Sequence, residues 1–292
     1  IIKTTPNFHP KNKHKSGYDL EALCNVYPEL KPFVFENRHQ TVTIDFAKPK
    51  AVKALNTALL LKDYGIKFWE FPEENLCPPI PGRVDYLHHI AHLVKKANTE
   101  NGVKILDIGT GASCIYPLLG HAEYNWEFVA TDIDGASLKN AQRIIDKNKM
   151  GNAIKLRHQE DSAEIFNGIL DEGETFAVSI CNPPFFNSEE EADEATTKKL
   201  KNLGKKTDKI VRNFSGTNNE LCYKGGEKAF LHTYLYESSL HKESCKWFTT
   251  LVSKKDLIKG MQKSLTKLGA TEVKVINMGQ GNKVSRILAW TF

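Results

Sequence analysis

The sequence predicts an α/β protein built on a mostly parallel, doubly wound sheet that finishes in an antiparallel hairpin. Three observations carry this expectation. Apolar segments at 103–108, 128–131, 154–157, 176–181 and 247–252 alternate with stretches of helical period, the pattern of repeated βα units. A glycine loop, Gly109-Thr-Gly111, follows the first of these strands directly. At the carboxyl end, strand 272–278, the turn Gly279-Gln-Gly-Asn282 and strand 283–292 read as a hairpin.

Taken in order, the chain starts with a basic arm, His9-Pro-Lys-Asn-Lys-His-Lys15. Asp19 is expected to cap a short helix that reaches Val26. Val42, Ile44 and Phe46 alternate with Thr41, Thr43 and Asp45, the period of a half-buried strand. Pro49 suits the first turn of a helix whose apolar face is Val52, Leu55, Ala58 and Leu59. The aromatic cluster Phe68-Trp69-Glu70-Phe71 reads as core. Four prolines between Pro72 and Pro81 mark a rim or linker, and the domain boundary is placed there. Residues 1–80 then form a small α+β extension, and residues 81–292 the doubly wound domain. From Gly82 a helix carries Tyr86, Leu87, Ile90, Leu93 and Val94; further helices are expected near 113–119, 135–148, 162–170, 227–241 and 256–268. The acidic run Glu189–Glu194 reads as a solvated helix start.

An apolar share of 40% and a charged share of 26% are those of an ordinary globular chain. No apolar run approaches the roughly 20 residues needed to span a bilayer, and the first residues carry no signal-peptide pattern. The six cysteines are scattered without a Cys-x-x-Cys pair, which points to reduced thiols and argues against a zinc site or disulfide frame. These features predict a cytoplasmic protein. His88 and His92 share a helix face beside His89, but no glutamate of a His-Glu-x-x-His motif accompanies them. They read as surface or core histidines, and no metal is expected. The net charge is only +5, yet lysines cluster in the amino-terminal arm and again between Lys198 and Lys228, which suits phosphate binding at two places.

The chemistry concentrates at Asn182-Pro183-Pro184-Phe185, directly after the strand Phe176–Cys181. Consecutive prolines cannot extend a strand, so the backbone leaves the sheet in a stiff turn. Open α/β sheets bind ligands at the carboxyl ends of their strands. A planar amide, a proline carbonyl and an aromatic ring converge there, a set that accepts hydrogen bonds from an exocyclic amine and stacks a flat ring. Upstream, Gly109 and Gly111 let the backbone turn sharply and approach a ligand. A dinucleotide loop would want a third glycine where Cys114 stands, so that fingerprint is incomplete. The next strand ends in Thr131-Asp132-Ile-Asp134, where a carboxylate, Asp132 or Asp134, can take both hydroxyls of a ribose.

Glycine loop, strand-end acid and Asn-Pro-Pro-Phe in this order resemble the class I S-adenosylmethionine-dependent methyltransferases, in their amino-methyltransferase branch. Over nearly the whole chain the sequence is similar to the bacterial 23S rRNA adenine-N6 methyltransferases. The likeness lies in Cys77-Pro-Pro-Ile-Pro-Gly-Arg83, Ile105–Leu119, Cys181-Asn-Pro-Pro-Phe-Phe186, Asp45-Phe-Ala-Lys-Pro and Arg286-Ile-Leu-Ala-Trp-Thr-Phe292. A eukaryotic family that methylates adenine in small nuclear and messenger RNA hairpins shares the loop and the Pro-Pro-Phe-Phe turn. Two departures stand out: Phe185 is tyrosine in many relatives outside these two families, and relatives often have glutamate where Asp132 stands.

The resemblance implies a Rossmann-like fold with a seven-stranded sheet, S-adenosylmethionine as methyl donor, and S-adenosylhomocysteine as product. Asn182 and the Pro183 carbonyl would accept the two N6 protons of adenine, with Asn182 also bordering the methyl donor, Pro184 would stiffen the turn, and Phe185 would stack on the base. Arg83 would reach the donor's methionine carboxylate. Ser113 would reach the same carboxylate or cap the following helix. Asp161 would contact the donor's adenine or cap a helix, and Asp107 would order the loop. Lys11, Lys13, Lys15, Lys205, Lys206, Lys209 and Arg212 would grip phosphates, with residues 1–80 as an RNA-binding extension. The 187–226 segment, rich in Lys, Asn and Gly, is expected to order only on RNA. The implied partner is 23S rRNA or a large-subunit assembly intermediate, met by a monomer. Rival readings are methylation of another RNA or DNA adenine, methylation of a protein glutamine, and a non-catalytic RNA-binding protein.

Overall fold

The computed structural model describes residues 8–96, 102–188, 190–192, 217–280 and 283–292. Lys205, Lys206, Lys209 and Arg212 lie outside them, as do most of the 187–226 segment with its expected order, half of the acidic run, and Gly281 and Asn282 of the expected turn.

The amino-terminal part holds α1 (Leu20–Val26), the antiparallel ribbon β1 (Val34–Glu36) and β2 (Val42–Ile44), and α2 (Pro49–Tyr64). Asp19 caps α1 through the N–H of Ala22 at 3.0 Å. After α3 (Ile80–Lys96) the chain alternates: β3 (Lys104–Ile108), α4 (Ile115–Tyr124), β4 (Glu127–Asp132), α5 (Gly135–Lys147), β5 (Ile154–His158) and β6 (Phe176–Cys181). The short α6 (Asn218–Leu221) and α7 (Gly226–Leu240) precede β7 (Cys245–Val252). The chain closes with α8 (Lys255–Leu268), β8 (Glu272–Gln280) and β9 (Lys283–Thr291). The strand order is β5-β4-β3-β6-β7-β9-β8, parallel from β5 to β7 and antiparallel at β9 and β8.

Strand alternation builds two cores. Ile105 and Phe128 face one side of the sheet, Leu106, Ile108 and Val129 the other, as the two-residue strand period requires. The first side is covered by α3, α4 and α5 together with Leu23, Leu30, Leu59 and Trp69 of the amino-terminal part, in one continuous cluster. The second is covered by α7 and α8. β6 is buried at every residue, as a central parallel strand covered on both faces must be. Beneath its end the Ser179 hydroxyl lies 2.8 Å from the Tyr234 hydroxyl. The hydroxyls of Tyr234 and Thr249 donate to the carbonyls of Thr249 and Ser179 at 3.1 and 2.8 Å, respectively. This satisfied buried network stiffens the strand just before Asn182.

Three expectations need correction. No helix forms over 162–170. The segment makes turns because the buried carboxylate of Glu237 on α7 takes the N–H groups of Ile165 and Phe166, the latter at 2.8 Å. Backbone donors engaged from outside have no need of a helix to satisfy them. The helix expected from Gly82 begins at Ile80, with Pro81 in its first turn, where a missing N–H costs nothing. Gly279 and Gln280, expected in the hairpin turn, belong to β8, and Gln280 pairs with Lys283.

The basic arm lies folded against the domain. Buried His9, Asn12 and His14 intersperse with exposed Lys11, Lys13 and Lys15. Asn12 donates to Pro81 O and to Asp85 Oδ1, at 3.0 and 2.9 Å, and the His9 N–H reaches the same carboxylate oxygen at 2.8 Å. His88 is buried against the Tyr124 hydroxyl at 2.6 Å, and burial pushes its pKa down to about 4. Among the described residues no cluster of His, Cys, Asp and Glu could hold a metal, none of the six cysteines forms a disulfide, and no helix is long and apolar enough to cross a membrane.

Candidate active site

The chain winds outward from β3 to β4 and β5, then returns to place β6 on the other side of β3. The carboxyl ends of β3 and β6 therefore form a topological switch point, where such sheets open a crevice. Both motifs singled out in the sequence end there.

On the β3 side, Gly109 and Gly111 have φ of +75° and +66°, conformations that side chains rarely adopt. The N–H groups of Gly109 and Thr110 both reach Thr131 O, at 3.0 and 2.9 Å. Cys114 keeps a left-handed φ of +48°, so the position of the missing third glycine retains a glycine-like backbone despite its side chain. That strained turn starts α4 at Ile115, two residues later than expected from the sequence. It is held by the Trp69 indole N–H on Ser113 O at 2.9 Å and by the Asn140 amide on Ala112 O at 2.8 Å.

Asp132 and Asp134 separate in role. Asp132 lines the crevice, accepting the Gly111 N–H at 2.7 Å and the Asp134 N–H at 3.0 Å. Burial raises its carboxyl above the ordinary range, against those two hydrogen bonds. Asp134 instead caps α5 through Ser137, whose hydroxyl donates to it at 2.7 Å and holds its carboxyl low.

Arg83, in the first turns of α3, lines the same crevice and donates to the Tyr116 hydroxyl at 2.9 Å. Asp107 lies beneath the loop with no exposure, and burial pushes its carboxyl up to about 7. Four buried atoms here have no hydrogen-bond partner among the described residues: Arg83 Nε, Thr110 Oγ1 and both oxygens of Asp107. Buried polar atoms left unpaired are costly, and a cluster of them at a crevice marks a place for a ligand with matching charged groups. An amino-acid group, carrying ammonium and carboxylate, suits this set of donors and acceptors.

On the β6 side, Asn182 and Pro184 line the crevice while Pro183 is buried behind them. The Asn182 amide makes no hydrogen bond among the described residues, so its oxygen remains available. The turn is clasped from outside. Leu221 O accepts the N–H of both Phe185 and Phe186, at 3.1 and 3.0 Å, and the Tyr223 N–H returns to Phe186 O at 3.0 Å. Phe185 and Phe186 are both half-buried, and neither is part of the crevice wall.

Of the residues expected to hold a cofactor, Arg83, Gly109, Gly111, Ser113, Asp132 and Asn182 line one crevice. Asp161 does not. It is exposed and its carboxylate accepts the Ala163 N–H at 2.8 Å, while Gln159, Ser162 and Ile165 from the same segment form the wall. Sequence reasoning missed Thr110, Tyr116, Glu220, Tyr223 and Phe230. Tyr116 follows Ser113 by three residues and was discoverable from that spacing; Glu220 and Tyr223 sit in a segment without periodic pattern. Lys13 is engaged by Glu123 at 2.6 Å, at the end of α4 remote from the loop. Glu123 lies further along that helix than Ile115 and Tyr116 of the crevice wall, so the arm's contact is roughly 11 Å from the crevice along the helix axis.

The comparisons with known proteins agree with this geometry. A family model described as RNA methyltransferase matches residues 2–292. The ribosomal RNA large subunit methyltransferase F of Aeromonas salmonicida is 50% identical, over 97% of this chain and 91% of the relative. The protein of the same name from Flavobacterium psychrophilum is 48% identical, over 100% of this chain and 95% of the relative. Among solved structures, the hMettl16 catalytic domain in complex with MAT2A 3'UTR hairpin 1 has a TM-score of 0.83 at 29% identity, covering 98% of this chain and 96% of that one. The N-terminal domain of human METTL16 in complex with SAH has a TM-score of 0.79 at 27% identity, covering 98% of each chain. With its glycine loop and Asn-Pro-Pro-Phe turn meeting across one switch point, and a match running from end to end, the chain belongs to the RNA methyltransferase family.

Proposed function

We propose that this protein transfers a methyl group from S-adenosylmethionine to the N6 amine of a specific adenine in 23S rRNA. The observation that carries the reading is the shared crevice. An uncommitted Asn182 amide at the end of β6 faces the same space as the glycine loop, Arg83 and Asp132 at the ends of α3, β3 and β4. S-adenosylmethionine supplies an electrophilic methyl group on a sulfonium. The chain's own residues do the rest by position.

Arg83 takes the donor's carboxylate and Thr110, in the crevice wall, accepts from its ammonium, while the buried Asp107 orders the loop beneath. Asp132 takes the ribose hydroxyls. At the other end, the Asn182 oxygen and the Pro183 carbonyl accept the two protons of the adenine amine. That pulls the nitrogen lone pair out of conjugation with the ring. Phe185, held by Leu221, stacks on the base, a contact worth about 1–3 kcal/mol. A base inside a folded RNA must be splayed out to reach this pocket, at a cost of a few kcal/mol. The displaced proton leaves to solvent.

RNA contacts are assigned to Lys11 and Lys15 on the folded arm, with Lys13 partly neutralised by Glu123, and to Lys205, Lys206, Lys209 and Arg212. The protein acts as a cytoplasmic monomer on 23S rRNA or on a large-subunit assembly intermediate, and residues 1–80 serve as its RNA-binding extension.

The test is incubation with labelled methyl donor and, in parallel, naked 23S rRNA, large-subunit precursors, duplex DNA and a protein release factor. The expected result is label in 23S rRNA or its precursor particle, recovered as N6-methyladenosine after digestion. Label recovered only in DNA or in a glutamine side chain overturns the assignment, and so does the absence of label in every arm.

A further inference from the structure

Glu220, on the short α6, is with Glu164 one of two acidic residues of the crevice wall that no sequence pattern announced, and the one that approaches the glycine loop. Its Oε2 accepts the N–H groups of Leu76 and Thr217 at 3.0 and 2.9 Å. Its Oε1 points the other way, to 3.2 Å from where a Cβ on Gly111 would stand. Gly111 is also the residue whose N–H binds Asp132. The two carboxylates thus flank one glycine, and the field of Glu220 contributes to the rise of the Asp132 carboxyl that burial begins. Neither carboxylate has a cationic partner among the described residues.

We infer that Glu220 is a specificity residue of the methyl-donor pocket, whose charge favours the cationic sulfonium donor over its neutral thioether product. This rests on the methyltransferase reading. Two like charges facing one crevice repel, and a cation entering beside them relieves the repulsion whereas a neutral ligand does not. Methyl transfer changes the ligand's charge. The methyl–sulfur bond breaks with its electron pair left on sulfur, a carbon–nitrogen bond forms at the amine, and the amine releases one proton. The spent cofactor is therefore poorer by one positive charge and loses the attraction that retained the donor. Glu220 acts on the exchange of product for fresh donor.

The test is calorimetric titration of the full chain and its Glu220→Gln variant with S-adenosylmethionine, S-adenosylhomocysteine and sinefungin, which carries an ammonium in place of the sulfonium. Glutamine retains an oxygen for Leu76 and Thr217 but no charge. The expected result is a roughly tenfold loss of affinity for the two cationic ligands, with less than twofold change for the thioether. Equal weakening of all three ligands overturns the inference in favour of a neutral hydrogen bond, and so does no change in any. If melting shows that Glu220→Gln does not fold, Glu220→Asp is used. It keeps the charge but withdraws it by one methylene, and should weaken the cationic ligands more than the thioether. Wild-type protein that binds none of the three sinks the methyltransferase reading itself; wild-type protein that binds all three, with an unchanged preference in the variant, sinks only the role of Glu220.

Discussion

The backbone N–H of Gly111 lies 2.7 Å from Oδ2 of Asp132, tying the loop after β3 to the end of β4. With the Asp134 N–H on the other oxygen, the carboxylate is fixed in place while each oxygen keeps a free lone pair. Asp132→Ala should therefore weaken S-adenosylmethionine binding roughly 10- to 100-fold, the scale of a hydrogen bond to a charged group. Asp134→Ala should leave donor affinity within about twofold and lower stability by about 1 kcal/mol, as loss of a helix cap does. Calorimetry and urea unfolding of the two variants separate these outcomes. The reverse order would assign the ribose to Asp134.

Asn182→Ala removes the acceptor of an amine proton without touching the donor's end of the crevice. Turnover on RNA should fall by roughly 100- to 1000-fold, the usual cost of losing one polar contact that stabilises the transition state. Donor affinity should stay within about threefold. Phe185→Ala should lower kcat/KM roughly 5- to 150-fold through lost stacking. Single-turnover rates and donor titrations on each variant check both, and undiminished turnover of Asn182→Ala would defeat the mechanism.

Binding of RNA should weaken steeply with salt, because lysines release counterions from phosphates. Lys11→Ala and Lys15→Ala should each reduce the slope of log K against log salt by about 1. Lys13→Ala should reduce it less, since Glu123 already neutralises that ammonium at 2.6 Å. Filter binding across a salt series measures all three, and a salt-independent affinity would remove the basic arm from the interface.

Burial lifts the Asp107 carboxyl to about 7 from its ordinary 3.8. Between those values the folded chain keeps a proton that the unfolded chain has released. Stability of the ligand-free protein should therefore fall as pH rises from about 4 to about 7, by up to about 1.4 kcal/mol per pH unit. Above the folded value no further loss comes from this group. Asp107→Asn should flatten that part of the profile in urea unfolding between pH 4 and 8, and an unchanged slope would refute the assignment.

Local chemistry was legible where it alone decides the structure. The strands β3, β4 and β6, the glycine loop and the proline turn follow from residue type and period, and the crevice follows from the order in which they occur. What escaped depends on groups distant in sequence. Ile165, Phe166 and Ile169 have helical spacing, yet their segment forms turns because Glu237, 72 residues beyond Ile165, captures its N–H groups. The arm's lysines looked uniformly solvated, but buried His9, Asn12 and His14 stand among them and anchor it. Glu220 gave no signal, since its closeness to Gly111 arises only from the path by which the chain returns after β6.

A single oxygen atom, the carbonyl of Leu221, holds both aromatic residues of the turn after β6. The long insert between β6 and α7 is thus not an exchangeable cassette. Any graft of a foreign insert, to redirect the enzyme to a new RNA, must deliver that carbonyl in the same register. A transplant one residue too short or too long would spoil the seat of Phe185 and carry Glu220 out of its place beside Gly111.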